Sequence, residues 1–191
     1  MTHSPYPALL DACVLYPARL RDLLMHLGLR GLYQPKWTAQ IHEEWKRNLL
    51  VNRRDLQAEQ LDRVHALMDK AMPDANVIGH EQLVDSIRLP DQDDRHVLAA
   101  AIIANAEVIV TYNLKDFPVD YLSTFGIEAI HPDDFVSDLI DLNHALALEA
   151  VTNLRQALKN PPMTADSFLA SLTQIEMAKT VKALEDYKFI L

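Results

Sequence analysis

The chain has 191 residues, 49% hydrophobic and 24% charged, with a formal net charge of −9. That length suits one domain, or one domain with an appendage, and the composition excludes a disordered chain or a coiled coil. The acidity excludes a protein that coats nucleic acid by bulk charge, but not an enzyme whose carboxylates hold metal ions.

The single cysteine, Cys13, rules out an intrachain disulfide and a multi-cysteine zinc site. The opening residues, Met1-Thr2-His3-Ser4-Pro5, lack a basic stretch followed by an apolar run, so no signal peptide is read and a cytoplasmic location is expected. The charge is uneven. Residues 1–60 carry 8 basic and 6 acidic side chains, whereas residues 61–144 carry 5 and 16.

Ala8 to Leu15 is a short apolar run interrupted by one acid, and it reads as a buried strand ending near Asp11. Pro17 opens a helix with Leu20, Leu23, Leu24 and Leu27 at three-and-four spacing, and Gly28 is its expected stop. Thr38 caps a second helix bearing Ile41, Trp45 and Leu49, and Asp55 to Met72 forms a third, closed by Pro73. Asp94 to Ala104 is a fourth. Its apolar run, Val97 to Ala104, is the longest in the chain and falls far short of the ~20 residues of a membrane span, so no membrane partner is expected.

Val108 to Thr111 and Ile127 to Ile130 are the second and third strands. Phe135 to Asn160 is helical by pattern, and Asn160-Pro161-Pro162 breaks the chain. Thr173 and Glu176 have the spacing of a capping box before a last helix. Strands alternating with helices predict an α/β domain with a mostly parallel sheet over residues 1–140, and a C-terminal helical extension over 141–191.

In parallel α/β sheets functional groups gather beyond the carboxyl ends of the strands. Asp11 ends the first strand; Thr111, Asn113 and Asp116 follow the second. An acid inside an apolar strand is costly unless it is paired, metal-bound or capping a turn. Asp94 shares the helical face of Val97, Leu98, Ala101 and Ile102, whereas Asp93 suits ordinary helix capping. In the second helix Glu44 borders the stripe of Ile41, Trp45 and Leu49, and Glu43 points away from it. Carboxylates converging from distant segments suit Mg²⁺ or Mn²⁺, hard cations that take oxygen ligands, activate water and stabilise phosphoryl charge.

The segments Leu9 to Leu15, Thr38 to Leu49 with Glu44, Asp93 to Ala101, and above all Ile109-Val110-Thr111-Tyr112-Asn113-Leu114-Lys115-Asp116-Phe117-Pro118 resemble the PIN domain family, in particular the VapC-like ribonuclease toxins of toxin–antitoxin modules. The resemblance spans about residues 8–136. It implies a three-layer α/β/α sandwich and cleavage of single-stranded RNA with Mg²⁺ or Mn²⁺. It maps the family's acids onto Asp11, Glu44 and Asp94. Its fourth acid position is occupied by Asn113, with Asp116 close enough in sequence to supply the charge. Asp11, Asp94 and Asp116 are then the expected metal ligands, with Glu44 and Asn113 completing the catalytic set and Thr111 orienting a water or a phosphate oxygen. The resemblance also implies a cognate antitoxin; a homodimer is a further possible use of the terminal helices.

An acidic protein needs a local positive surface to hold RNA, and the first 60 residues are its expected source, with Lys46, Arg53 and Arg54 as the contacts. Trp37 and Tyr16 are read either as base-stacking or as core residues. His42-Glu43-Glu44-Trp45-Lys46 begins like a zinc-helix motif, but Lys46 stands where the second ligand should be. His96 is read as a surface residue in preference to a site residue, and Cys13 as buried in the strand. The rival reading is a PIN-fold scaffold with impaired catalysis, kept open by Asn113. Phosphotransfer folds of the dehalogenase and receiver types lack their second acids here.

Overall fold

The computed structural model describes residues 5–159 and 161–191. Met1 to Ser4, in which no leader was read, and Asn160 of the predicted break lie outside the described residues. Strand β1 (Pro7–Leu10) leads into the one-turn helix α1 (Ala12–Leu15) and then α2 (Ala18–Leu29). Gly28 does not stop α2. It lies within the helix, where Met72 and Pro35 approach to 3.1–3.2 Å of where a Cβ would stand and so favour glycine, and the chain instead turns at Gly31, at φ +72°.

Strand β2 (Gln34–Lys36) follows, a strand that neither hydrophobic alternation nor β-propensity predicts. It carries Pro35, which has no N–H to donate, and its place at the sheet edge, paired on one side with β1, tolerates that.

Helix α3 (Ala39–Asn52) starts as predicted, with the Thr38 hydroxyl accepting from the Ile41 N–H at 3.1 Å. Helix α4 (Ala58–Ala71) begins later than Asp55, because Arg53 takes that carboxylate in a two-pronged ion pair; Gln60 Oε1 accepts from the Gln57 N–H at 2.9 Å and secures the actual start. After the short α5 (Glu81–Val84) come α6 (Arg95–Ile103) and β3 (Val108–Val110). A 3₁₀ turn (Leu114–Asp116), α7 (Val119–Leu122) and β4 (Glu128–Ile130) complete the α/β unit.

The four strands are all parallel, in the order β2-β1-β3-β4. Their inner positions, Leu9, Leu10, Ile109 and Val110, are fully buried, as strands covered on both faces must be. Helix α6 packs on β1 and β3, and α2 on β2. The result is the parallel α/β unit that the alternating pattern predicts, arranged as the α/β/α sandwich that the family resemblance implies, with helices added at the C-terminus. From β1 the chain steps outward to β2, then returns to the other side of β1 to lay down β3. The carboxyl ends of β1 and β3 therefore flank the topological switch point, where such sheets form their crevice.

The helical run expected over Phe135 to Asn160 is two helices, α8 (Pro132–Leu142) and α9 (His144–Ala157), split at Asn143, whose side chain caps the second. Helix α9 packs on α2. The capping box expected at Thr173 and Glu176 does not form. Thr173 is instead the last residue of α10 (Ala165–Thr173), an additional helix capped by Thr164. Glu176 sits in the left-handed region at φ +61°, and α11 (Ala178–Glu185) is started instead from a distance: the Asp133 carboxylate accepts from the Lys179 and Thr180 N–H groups at 2.8 Å each.

Candidate active site

Asp11 caps α1 at the end of β1. One carboxylate oxygen accepts from the Ala12 N–H at 2.6 Å; the other accepts from the Thr111 hydroxyl at 2.7 Å and the Cys13 thiol at 3.1 Å. These donors explain how a carboxylate only 4% exposed is tolerated. Thr111, at the end of β3, is fully buried, and its hydroxyl in turn accepts from the Asn113 N–H at 3.0 Å. Cys13 is half-buried on α1 and not in the strand; its Sγ accepts from the Tyr112 N–H at 3.3 Å. Burial, then the Asp11 carboxylate, push its thiol well above the usual range.

Asp94 is the N-cap residue of α6, yet its side chain accepts no capping hydrogen bond. Its carboxyl is pushed up to about 7 by burial and by the nearby charges of Asp11, Asp91 and Asp116. Glu44 reaches in from α3. Its Oε1 lies 2.9 Å from Nε2 of His96 on α6 and 3.3 Å from Nε2 of Gln40, one turn back on its own helix.

Asp11, Glu44, Asp94 and Asn113 all line one open cleft of about 520 Å³. Thr111 lies buried beneath it. Asp116 is half-buried at the end of the 3₁₀ turn and near enough to bear on Asp94, without being among the cleft-lining residues.

The predicted RNA contacts are not brought there. Lys46 is nearly buried, its Nζ 2.6 Å from Glu43 and 2.8 Å from Asp62 on α4. Arg53 is paired with Asp55, and Arg54, though exposed, does not line the cleft. The cleft's cation is Arg47, which follows Lys46 and faces a different side of α3. His96, expected on the surface, is 4% exposed and lines the cleft. Trp37 is fully buried and donates its indole N–H to Asp69 at 3.0 Å, so it is a core residue.

The donors at the cleft are carboxylate oxygens, and among the described residues no Lys or Arg lies in ion-pair range of Asp11, Asp94 or Asp116. Partly buried carboxylates with no Lys or Arg paired to them fit a hard divalent cation, while the nearby Cys13 thiol is held protonated and Nε2 of His96 is engaged with Glu44. A second cluster, His42, His65 and Asp69, fits a metal less well. The Trp45 indole N–H donates to Nδ1 of His42 at 3.0 Å, so the neutral imidazole carries its proton on Nε2, the atom facing Asp69 at 4.0 Å. That nitrogen has no lone pair for an ion, and the ring stays in this neutral form because burial holds its pKa down to about 3.

Residues 7–115 match the PIN domain family, and residues 132–186 match the VapC50 C-terminal domain. Over 79 residues the chain is 48% identical to the putative ribonuclease VapC50 of Mycobacterium tuberculosis (strain ATCC 25618 / H37Rv). That match covers 41% of this chain and 47% of that protein, so it spans about half the length of the curated relative. No solved structure matches. Asp11, Glu44, Asp94, Thr111 and Asn113 all fall within the first family match, and Asp116 lies one residue beyond it. On a match that takes in more than half of its residues, the chain belongs to the PIN domain family.

Proposed function

We propose that this protein is a VapC-type endoribonuclease that cleaves single-stranded RNA with Mg²⁺ or Mn²⁺, acting as the toxin of a toxin–antitoxin pair. The observation that carries the reading is the convergence of Asp11, Glu44, Asp94 and Asn113 from four distant segments on one cleft, with no Lys or Arg among the described residues in ion-pair range of Asp11 or Asp94. The raised pKa of Asp94, from burial and the neighbouring acids, accords with a site that gains from a bound cation. The family match and the name of the relative support the nuclease class.

Asp11, Asp94 and Asp116 would hold the ion, with Glu44 at the same cleft. When bound, the cation supplies an activated water and neutralises phosphoryl charge. The chain's own groups do the remaining work. Thr111 fixes the Asp11 carboxylate through its 2.7 Å hydrogen bond, so that oxygen is pre-oriented. Asn113 offers an amide at the cleft edge to a phosphate oxygen or a water. Arg47, which lines the cleft from α3, would meet the RNA backbone.

Residues 1–140 are read as the nuclease domain and 141–191 as an extension to it. A cognate antitoxin would cover the cleft, and a homodimer through the terminal helices belongs to the same proposal. No described helix is long and apolar enough to cross a membrane, and a cytoplasmic site of action is part of the reading.

The test compares wild type with Asp11→Ala. Induction in cells followed by mapping of RNA 5′ ends should give discrete new ends for wild type and none for the variant. Cleavage by Asp11→Ala at the wild-type rate in Mg²⁺ would overturn the assignment. Failure of the wild-type protein to bind Mn²⁺ at millimolar concentration would favour the scaffold alternative.

A further inference from the structure

The segment Thr111 to Asn113 carries two of the groups assigned to the cleft, and the residue between them points the other way. Tyr112 donates its phenol O–H to the Ile175 carbonyl at 2.8 Å, across 63 residues of sequence. Ile175 lies in the tight turn between α10 and α11, whose next residue, Glu176, is held at φ +61°.

The same turn is tied back to the core by a second route. The N–H groups of Lys179 and Thr180 donate to Asp133, the Asp133 N–H donates to Nδ1 of His131 at 3.2 Å, and the His131 ring meets Tyr112 edge-on at 5.0 Å. Tyr112, the α10–α11 turn, the start of α11, Asp133 and His131 thus form a closed circuit. On its cleft side Tyr112 is fixed by its N–H to Cys13 Sγ, and Cys13 in turn donates to Asp11. A groove of about 310 Å³ runs between Tyr112 and the Gln174–Glu176 turn, and Cys13 lines both this groove and the acidic cleft.

We propose that the C-terminal extension is a working part of the active site, and that Tyr112 is the positioning residue through which the α10–α11 turn holds the Thr111–Asn113 segment against Asp11. The value of holding that segment rests on the nuclease reading above; the holding itself does not. A loop emerging from a strand end is ordinarily free to fray. This one is clamped on one side by Asp11 and Cys13, and on the other by a carbonyl from the extension. The extension therefore pre-orients Thr111 and Asn113 as a second layer of contacts orients first-layer ligands elsewhere.

Amide hydrogen exchange in the full-length, metal-free protein tests the proposal. Tyr112→Phe keeps the ring and removes only the O–H donor. Exchange at residues 111–113 should rise about three- to tenfold, the loss expected for one hydrogen bond. Asp133→Asn, which weakens the start of α11 without touching Tyr112, should raise exchange at the same residues. Tyr33→Phe is the control: it removes a similar phenol-to-carbonyl bond, to Leu24 at 3.0 Å, at the opposite end of the sheet and should leave residues 111–113 unchanged.

In calorimetry, Tyr112→Phe should weaken Mn²⁺ binding by about tenfold, as loss of an outer contact does at other metal sites. Exchange at 111–113 that is the same in Tyr112→Phe as in Tyr33→Phe overturns the proposal. Raised exchange with an unchanged Mn²⁺ affinity overturns its link to the site. Absence of Mn²⁺ binding by the wild-type protein overturns the nuclease reading instead, and the exchange result then decides the clamp alone.

Discussion

Nε2 of His96 lies 2.9 Å from Oε1 of Glu44, joining α6 to α3 across the floor of the acidic cleft. Gln40 reaches the same oxygen from one turn away, so both donors converge on Oε1. An imidazole that is 4% exposed cannot swing aside, and it fixes the carboxylate in turn. His96→Leu should reduce RNA cleavage by about ten- to a hundredfold, the usual cost of losing a partner that orients a ligand. His96→Gln, which can donate from a similar position, should recover most of that loss. Equal activity in the Leu and Gln variants would show that only the volume of residue 96 matters.

Asp94 makes the metal-free protein sensitive to pH. Its carboxyl, pushed up to about 7 by burial, Asp11, Asp91 and Asp116, stays protonated in the folded state well above the ordinary carboxylate value near 4. Between about pH 4 and 7 the unfolded chain has released that proton and the folded chain has not, so this group's contribution to stability is lost as pH rises through that window. A cation must displace the same proton, so Mn²⁺ affinity should climb with pH up to about 7 and then level off. Thermal melts of EDTA-treated protein at pH 5 and 7.5, compared with Asp94→Asn, should show a fall in wild type that the variant lacks. Parallel melting behaviour in the two proteins would show that Asp94 carries an ordinary charge.

What the sequence made legible at the site follows from periodicity. Asp11 stands out as an acid within an apolar run. The 100° step of a helix separates Glu44, at the cleft, from Glu43, which pairs with Lys46 on another side of α3. The same step places Asp94 on the buried face of α6. What it did not show depends on contacts between distant segments. His96 looks like any charged-face residue until α3 brings Glu44 to it. Lys46 looks like a free cation until α4 brings Asp62 to 2.8 Å. Strand β2 has no β-branched or aromatic residue and contains Pro35; its extended form is imposed by pairing with β1. The Thr173–Glu176 spacing failed for a related reason: the actual cap of α11 is Asp133, 46 residues earlier in the chain than Lys179.

Cys13 lies at the cleft with its thiol beside Asp11 and Thr111, a position that invites a nucleophilic role. Its environment opposes one. Burial, and next the Asp11 carboxylate, hold the thiol protonated well above its usual range, and reactivity follows the thiolate fraction. At pH 8 iodoacetamide should label the folded, metal-free protein at under about a tenth of the rate for the urea-unfolded chain. Cys13→Ala should slow RNA cleavage by about tenfold and not abolish it: the Tyr112 N–H loses its acceptor, but the carboxylate retains its bonds from Ala12 and Thr111. Rapid labelling of the folded protein would mean that the Asp11 charge is neutralised or turned away.

Glu176 is the exposed residue on which the α10–α11 turn bends, and it adopts φ +61°, a left-handed conformation that costs an L-residue with a Cβ about 1–2 kcal/mol. Glycine removes that cost but adds freedom to the unfolded chain, so Glu176→Gly should stabilise the protein by about 0.5–1 kcal/mol. Asn105, at φ +48°, is a useful comparison: asparagine tolerates this region, and Asn105→Gly should change little. Urea unfolding of the two variants beside wild type measures both effects, and the slope with urea should be unchanged if only the strain is relieved. If Glu176→Gly is destabilised instead, the Glu176 side chain must make a contact worth more than the strain. The turn that presents the Ile175 carbonyl to Tyr112 would then be held by that side chain, and not by the hydrogen bonds of Asp133 alone.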